Sequence, residues 1–155
     1  MSRIDDMITL VRDYLDTEDW KYDYDAGAKI IKAGVNLKCK LKSVNLVLRF
    51  TDEGFTTLAI SPMNAGEDCR ANIAEFITRA NYGIRNGNFE MDYRDGEIRY
   101  KVYTNYKALD SISKEIIDDS VLIPPYMFNR YGDGIAALLF GFSTPEDEIN
   151  KIEKQ

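Results

Sequence analysis

The most informative absence in this 155-residue sequence is histidine, of which there is none. Histidine is the commonest general base in catalysis, the usual member of a catalytic triad and the commonest nitrogen ligand of metal ions. The sequence also contains no glycine-rich phosphate loop, no G-x-S-x-G elbow and no H-E-x-x-H motif, which are frequent signs of nucleotide, ester and peptide chemistry. We therefore predict a protein that is not an enzyme and that has no metal or cofactor site.

Cysteine is scarce as well, with only Cys39 and Cys69. Two cysteines are too few for a disulfide framework and their spacing does not suit a thiolate metal site, so we expect both to be reduced. The N-terminal residues mix charges such as Arg3 and Asp5 with apolar side chains, which is typical of neither a signal peptide nor a membrane span. These features predict a cytoplasmic location and no membrane partner.

Basic residues are outnumbered, because 20 lysines and arginines stand against 26 acids and leave a net charge of −6. Nucleic-acid binding requires a concentrated positive face, so we expect no nucleic-acid partner. The apolar content of 45% is ordinary for a globular protein, and a chain of this length can bury one core. We therefore predict a single domain over 1–155.

The first half of the chain shows a helical period followed by a strand period. Apolar residues recur at steps of three and four over 1–19, which predicts an amphipathic helix. Alternating apolar and polar residues then predict four strands, at 20–25, 31–39, 44–50 and 55–62. The alternation changes parity between the second and third strands, so we expect their turn near 40–43.

The second half opens with a segment, 64–67, that resembles a capping box for a helix ending near Gly83. Residues 89–93 and 98–102 then alternate on either side of Asp95-Gly96, which predicts a second hairpin. This helix and hairpin extend the predicted order to one helix, four strands, a helix and two strands.

The last third of the chain is predicted to be helical. Ser113 can cap a helix, but Pro124-Pro125 would remove backbone hydrogen bonds within it, so we expect a break or sharp kink there. Beyond the prolines, apolar residues recur at helical spacing as far as Phe142. Thr144 then caps a short C-terminal helix over 144–155. The order α-β-β-β-β-α-β-β-α-α predicts an α+β fold with a twisted antiparallel sheet and helices packed against it.

Two sets of aromatic residues are candidate protein-binding surfaces. Trp20, Tyr22 and Tyr24 share one face of a strand that we expect at a sheet edge, where an extended partner segment could add as a further strand. The alternative, which we favour, is that these rings pack under the first helix. The second set surrounds the last helices and could form an oligomer interface; it comprises Tyr103, Tyr106 and the Tyr126-Met127 pair.

Three segments of the second half of the chain carry a resemblance, and they are Ala80-Asn81-Tyr82-Gly83, Gly87-Asn88-Phe89-Glu90-Met91-Asp92 and Asp95-Gly96-Glu97-Ile98-Arg99-Tyr100. They resemble the YbjN family of bacterial proteins, which are labelled sensory transduction regulators. The resemblance extends to the preceding hairpin and to the C-terminal helices, so it covers nearly the whole chain. The chain departs from the family pattern in its glycine-free turn at 40–43 and at Pro124-Pro125.

The resemblance implies a fold like that of type III secretion chaperones, which are small α+β proteins with helices on one side of the sheet and a tendency to form homodimers. The matched residues are turn, cap and core residues, so the resemblance carries over architecture and no catalytic residue. We therefore predict a non-enzymatic protein-binding module, chaperone-like or regulatory. The alternative is a regulatory domain that senses a small ligand in a pocket between the sheet and the helices.

Overall fold

The computed structural model describes residues 2–154, which form four helices and one six-stranded sheet. The strands pair antiparallel in the order β1-β2-β3-β4-β6-β5. This architecture confirms the predicted α+β class and element order. The elements are α1 (Arg3–Thr17), β1 (Asp23–Asp25), β2 (Ile30–Asn36), β3 (Ser43–Phe50), β4 (Gly54–Ile60), α2 (Arg70–Asn81), β5 (Asn88–Met91), β6 (Ile98–Asn105), α3 (Lys114–Leu139) and α4 (Pro145–Glu153).

The core lies between one face of the sheet and the helices. Leu46 and Leu48 of β3 lie opposite Ala59 and Thr57 of β4 on this face, and all four are buried. Helix α3 packs on β4 and β6, α2 packs on β5, and α1 joins the same apolar cluster. Helix α4 packs on α2 and α3 instead of the sheet, so it forms an outer layer.

The end of α1 explains why the first predicted strand is shorter than expected. The Trp20 N–H donates to the Leu15 carbonyl oxygen at 2.9 Å, and Asp19 adopts a left-handed φ of 58°. This 6→1 hydrogen bond closes the helix end. Residues up to Trp20 therefore belong to the helix terminus, and the prediction of a strand over 20–25 was wrong for its first half.

The turn between β2 and β3 is longer than the predicted one. Strand β2 ends at Asn36, and the Leu37 N–H donates to the Lys42 carbonyl oxygen at 2.7 Å, where Lys42 has a φ of 73°. The prediction that the second strand continues to residue 39 was therefore wrong. Tertiary contacts hold this loop, since Asn129 of α3 accepts from the Lys38 N–H at 2.7 Å.

The predicted capping box at 64–67 was also wrong. Helix α2 begins at Arg70, after a turn in which the Cys69 N–H donates to the Gly66 carbonyl oxygen at 3.0 Å. The Asn64 side chain donates to the Asp95 carbonyl oxygen at 3.2 Å instead of capping the helix. This segment therefore docks on the β5–β6 turn, a contact between distant parts of the chain.

Pro124 and Pro125 do not break α3, which runs through them for 26 residues. A proline inside a helix removes one backbone hydrogen bond and costs about 3 kcal/mol. Both rings are buried, and the same helix buries Val121, Phe128 and Ile135. Packing of this apolar face stabilises the helix more than the prolines destabilise it, so the predicted break was wrong.

One buried hydroxyl on β4 gives a stability prediction. Thr57 is 0% exposed, and its Oγ1 has no hydrogen-bond partner within residues 2–154. Thr57→Val keeps the shape of the side chain and removes a polar group that is buried without a partner. We expect it to raise the free energy of unfolding by about 1 kcal/mol in urea denaturation.

The matched control for this change is Thr104→Val on the neighbouring strand β6. Thr104 is also buried, but its Oγ1 lies 2.5 Å from the Ser120 Oγ. Removing this paired hydroxyl should lower the free energy of unfolding by about 1 kcal/mol. A destabilising Thr57→Val change of the same size would contradict the prediction, because it would mean that Thr57 also has a partner.

Candidate functional site

The first aromatic set lies against α1. Trp20, Tyr22 and Tyr24 are half-buried and pack on the core. The Arg12 guanidinium lies over the Tyr24 ring, 4.5 Å from its centroid, and the Tyr22 hydroxyl donates to Asp16 at 2.8 Å. These contacts match the interpretation in which the rings pack under the first helix.

The two edges of the sheet offer little backbone for an added strand. Strand β1, at one edge, is three residues long and contains Asp23 and Asp25. At the other edge, the Asn81 side chain accepts from the Phe89 N–H at 2.8 Å and donates to the Phe89 carbonyl oxygen at 2.9 Å. Short, charged or covered edges are how sheets avoid pairing with another chain.

The second aromatic set is divided among three places. Tyr106 is 0% exposed and its hydroxyl donates to the Thr51 carbonyl oxygen, so it is a core residue. Tyr103 is 52% exposed on the sheet face opposite the helices, in line with Thr56 and Arg49. Tyr126 is 61% exposed on α3, with Met127 half-buried beside it. Tyr103 and Tyr126 thus lie on opposite sides of the sheet.

A groove between α3 and α4 brings together aromatic side chains that the sequence patterns did not connect. Four α3 residues spaced three or four apart, followed by the cap residue Phe140, form one wall, and α4 and the segment before it form the other. The volume is about 920 Å³. We call this site the α3–α4 groove; its lining includes Tyr126, Arg130, Asp133, Ala137, Phe140, Phe142, Glu148, Lys151, Ile152 and Lys40.

The end of α3 positions two of these aromatics. The Gly141 N–H donates to the Leu138 carbonyl oxygen and the Phe142 N–H to that of Ala137, with Gly141 at a φ of 73°. This pair of hydrogen bonds is a Schellman motif, which glycine favours because it has no Cβ. The helix therefore ends before Phe142, so the prediction that the helical pattern continues to Phe142 was wrong.

The turn leaves Phe140 and Phe142 stacked in the groove. Their ring centroids are 6.1 Å apart with an interplanar angle of 24°, and the side chains are 58% and 82% exposed. Single exposed apolar residues are normal on protein surfaces, but a contiguous exposed aromatic pair in a concave site is a feature that a function has to explain. Neither residue was predicted as a binding residue. The sequence feature that points to them is an aromatic pair on either side of a glycine that ends a helix.

A second depression of about 430 Å³ adjoins the groove. Tyr126 and Arg130 line both, and the loop after α2 contributes Tyr82 and Arg85. Tyr82 is 92% exposed. The exposed aromatic side chains therefore extend from the loop after α2 to the end of α3. The stretch from Tyr126 to Phe140 alone spans about 21 Å.

The carboxylates around the groove are all engaged by the protein itself. Asp133 accepts from the Lys40 backbone N–H at 2.8 Å, and Glu153 accepts from the Tyr131 hydroxyl at 2.9 Å. Glu148 accepts from Ser143 at 2.6 Å and from Lys151 at 2.8 Å. Burial raises the pKa of Glu148, but these donors outweigh it and leave the pKa below its usual value.

Lys40 and Arg130 line the groove, and Arg85 lines the adjoining depression. Within residues 2–154, none of these three cations forms an ion pair shorter than 4 Å, although the charge of Lys40 helps to lower the pKa of Glu148. The Arg130 guanidinium lies 5.4 Å from the centroid of the Tyr131 ring. The site thus combines exposed aromatic rings with positively charged side chains.

Other chemistry in the described part of the chain is limited. No group of three or more potential metal-ligating side chains occurs between residues 2 and 154. No helix in this range is long and apolar enough to cross a membrane. The carboxylates whose pKa falls to about 2 are Asp5, through Lys29 and Ser2, and Asp92, through Arg94. Both are surface ion pairs away from the groove.

No protein-family profile matches the sequence, and no curated protein matches it.

Proposed function

We propose that this protein is a non-enzymatic protein-binding module and that the α3–α4 groove holds a segment of its partner. The observation that carries the proposal is the stacked pair Phe140 and Phe142, which is exposed in a concave site. Burying one such side chain contributes about 1.5–3 kcal/mol. Two rings together can therefore supply enough free energy to anchor a partner segment.

The resemblance to the YbjN family supports a chaperone-like or regulatory role for this module. It also supports a cytoplasmic homodimer as the working form. Tyrosine and phenylalanine are enriched in the buried centre of protein interfaces, and the groove contains Tyr126, Phe140 and Phe142. The groove is therefore the surface of this chain that best fits a partner.

The second candidate function is the sensing of a small ligand. The depression beside Tyr82 and Tyr126, at about 430 Å³, lies in the size range of small-molecule sites. It is lined by the loop after α2, by α3 and by Tyr100 of β6, and the small-ligand alternative was predicted for a pocket between the sheet and the helices. The test is a screen of a metabolite library against the full chain. A compound that raises the melting temperature further as its concentration increases would favour this function.

The proposed function predicts that the protein will bind partner peptides more weakly when the aromatic side chains of the groove are removed. The full chain and its Phe140→Ser/Phe142→Ser variant are each used to select from a displayed peptide library. We expect the wild type to enrich peptides with apolar anchors that the variant binds at least tenfold more weakly. Both replaced rings are exposed, so the variant should keep its melting temperature.

The control variant is Tyr93→Ser, which removes an equally exposed aromatic side chain from the β5–β6 turn. It should enrich the same peptides as the wild type. Peptides that bind the Phe140→Ser/Phe142→Ser variant as tightly as the wild type would contradict the groove as the binding site. A selection that enriches no peptide would contradict peptide binding altogether.

A further inference from the structure

We infer that the occupant of the α3–α4 groove is an acidic amphipathic helix of a partner protein. The inference rests on the proposed function, because it names the partner's chemistry at the same site. It combines three features: the helical walls of the groove, two separated groups of aromatic anchors, and cations at or beside the groove that form no ion pair within residues 2–154.

The walls favour a helix over an extended segment. An extended peptide leaves its backbone N–H and C=O groups unpaired unless a sheet edge accepts them. The groove is formed by α3 and α4, and one sheet edge is covered at Phe89 by Asn81. A helix satisfies its own backbone and needs only side-chain contacts, so it suits this site.

The spacing of the anchors sets the length of that helix. Tyr126 stands at one end of the α3 stripe and Phe140 at the other, about 21 Å apart along the helix, with the small Ala137 between them. A small side chain at this place lets a second helix approach α3 to the usual packing distance of about 8–10 Å. The partner therefore presents apolar residues over about four turns.

The cationic side chains at and beside the groove favour a partner segment with a negative charge. Lys40, Arg85 and Arg130 form no ion pair in the described chain, whereas Asp133, Glu148 and Glu153 already accept hydrogen bonds. The protein as a whole has a net charge of −6, so these cations are a local exception to its overall negative charge. Carboxylates on the partner's polar flanks would pair with these cations and orient the helix.

The experiment uses three synthetic peptides of about 18 residues, or five helical turns. They share one leucine-rich face and differ only in their flanking residues, which are all glutamate, all glutamine or all lysine. Binding to the full-length chain is followed by fluorescence anisotropy at low and high salt. We expect the glutamate peptide to bind about tenfold more tightly than the glutamine peptide, the lysine peptide to bind most weakly, and salt to reduce these differences.

A charge-reversed variant, Lys40→Glu/Arg130→Glu, should invert this order of affinities. The matched control is Lys32→Glu/Arg49→Glu, which changes the net charge equally on exposed residues of the opposite sheet face. This control should preserve the order seen with the wild type. Circular dichroism should show that the glutamate peptide gains helix when it binds.

Several results would overturn the inference while leaving the proposed function intact. Equal affinity for all three peptides would mean that charge does not select the partner. Binding without a gain in helix would mean that the groove takes an extended segment. A wild-type dimer that Phe140→Ser/Phe142→Ser converts to a monomer would mean that a second copy fills the groove. If no peptide binds and the displayed library is also not enriched, the proposed function fails as well.

Discussion

Replacing Gly96 by alanine should lower the free energy of unfolding by at least about 3 kcal/mol, because the new methyl group has no room. Gly96 has a φ of 78°, and a Cβ on it would lie 1.9 Å from the Ala65 carbonyl oxygen. The obstacle is backbone, so it cannot rotate away. The Ala65 N–H also donates to the Gly96 carbonyl oxygen at 2.8 Å, and this bond would be lost as the two segments separate.

The control is Gly141→Ala, which separates the clash from the cost of the backbone conformation. Gly141 has a similar φ of 73°, but a Cβ there would meet nothing within 4 Å. Alanine in this conformation costs about 1 kcal/mol. Urea denaturation followed by circular dichroism should therefore show a loss at Gly96 about three times that at Gly141. Equal losses would mean that the segment around Ala65 does not pack against Gly96 in solution.

Gly96 also shows how far the sequence predicts this fold. Its turn between β5 and β6 follows from the Asp-Gly pair and from the alternation on either side, and both are local signals. Two predicted caps rest on local signals as well and are confirmed, since Ser113 accepts from the Ile116 N–H at 3.3 Å and Thr144 from the Asp147 N–H at 3.2 Å. The contact with Ala65 joins residues 31 positions apart and leaves no local signal.

Two of the errors of prediction have a common physical cause, which is that tertiary packing overrides local preference. Residues 64–67 carry cap-like residues but dock on the β5–β6 turn, and Pro124-Pro125 remain inside α3 because that helix is buried along one face. The candidate site was hidden for a related reason. Only Tyr126 of the groove was predicted as a binding residue, because the groove exists only once α4 folds back beside α3.

The second large effect should appear at high pH, where the protein is expected to unfold between pH 10 and 12. Burial raises the pKa of Tyr100, Tyr106 and Tyr131 to about 12, from an ordinary value of 10.0. Burial and a hydrogen bond to Asp118 raise the pKa of Tyr14 as well. A folded-state pKa above the unfolded one contributes stability that is fully present below pH 10 and is lost as the pH rises through the folded value.

In that window each such tyrosine lowers the free energy of unfolding by up to about 1.4 kcal/mol per pH unit. Three or four of them together approach the whole stability of a domain of this size, which is about 5–15 kcal/mol. We therefore expect a steep step in tyrosinate absorbance from the buried phenols that coincides with the loss of far-ultraviolet circular dichroism. This step and the circular dichroism signal should share one midpoint.

Single Tyr→Phe variants test whether the buried phenols cause this transition. Tyr131→Phe removes one ionisable group and its hydrogen bond to Glu153, so it should make the alkaline transition less steep and lower stability by about 1 kcal/mol at neutral pH. Tyr93→Phe, on a side chain that is 59% exposed, should leave the transition unchanged. If tyrosinate absorbance rises fully while the circular dichroism signal persists, the phenols ionise in the folded protein. That result would contradict their burial, and with it the packing of α3 against the sheet.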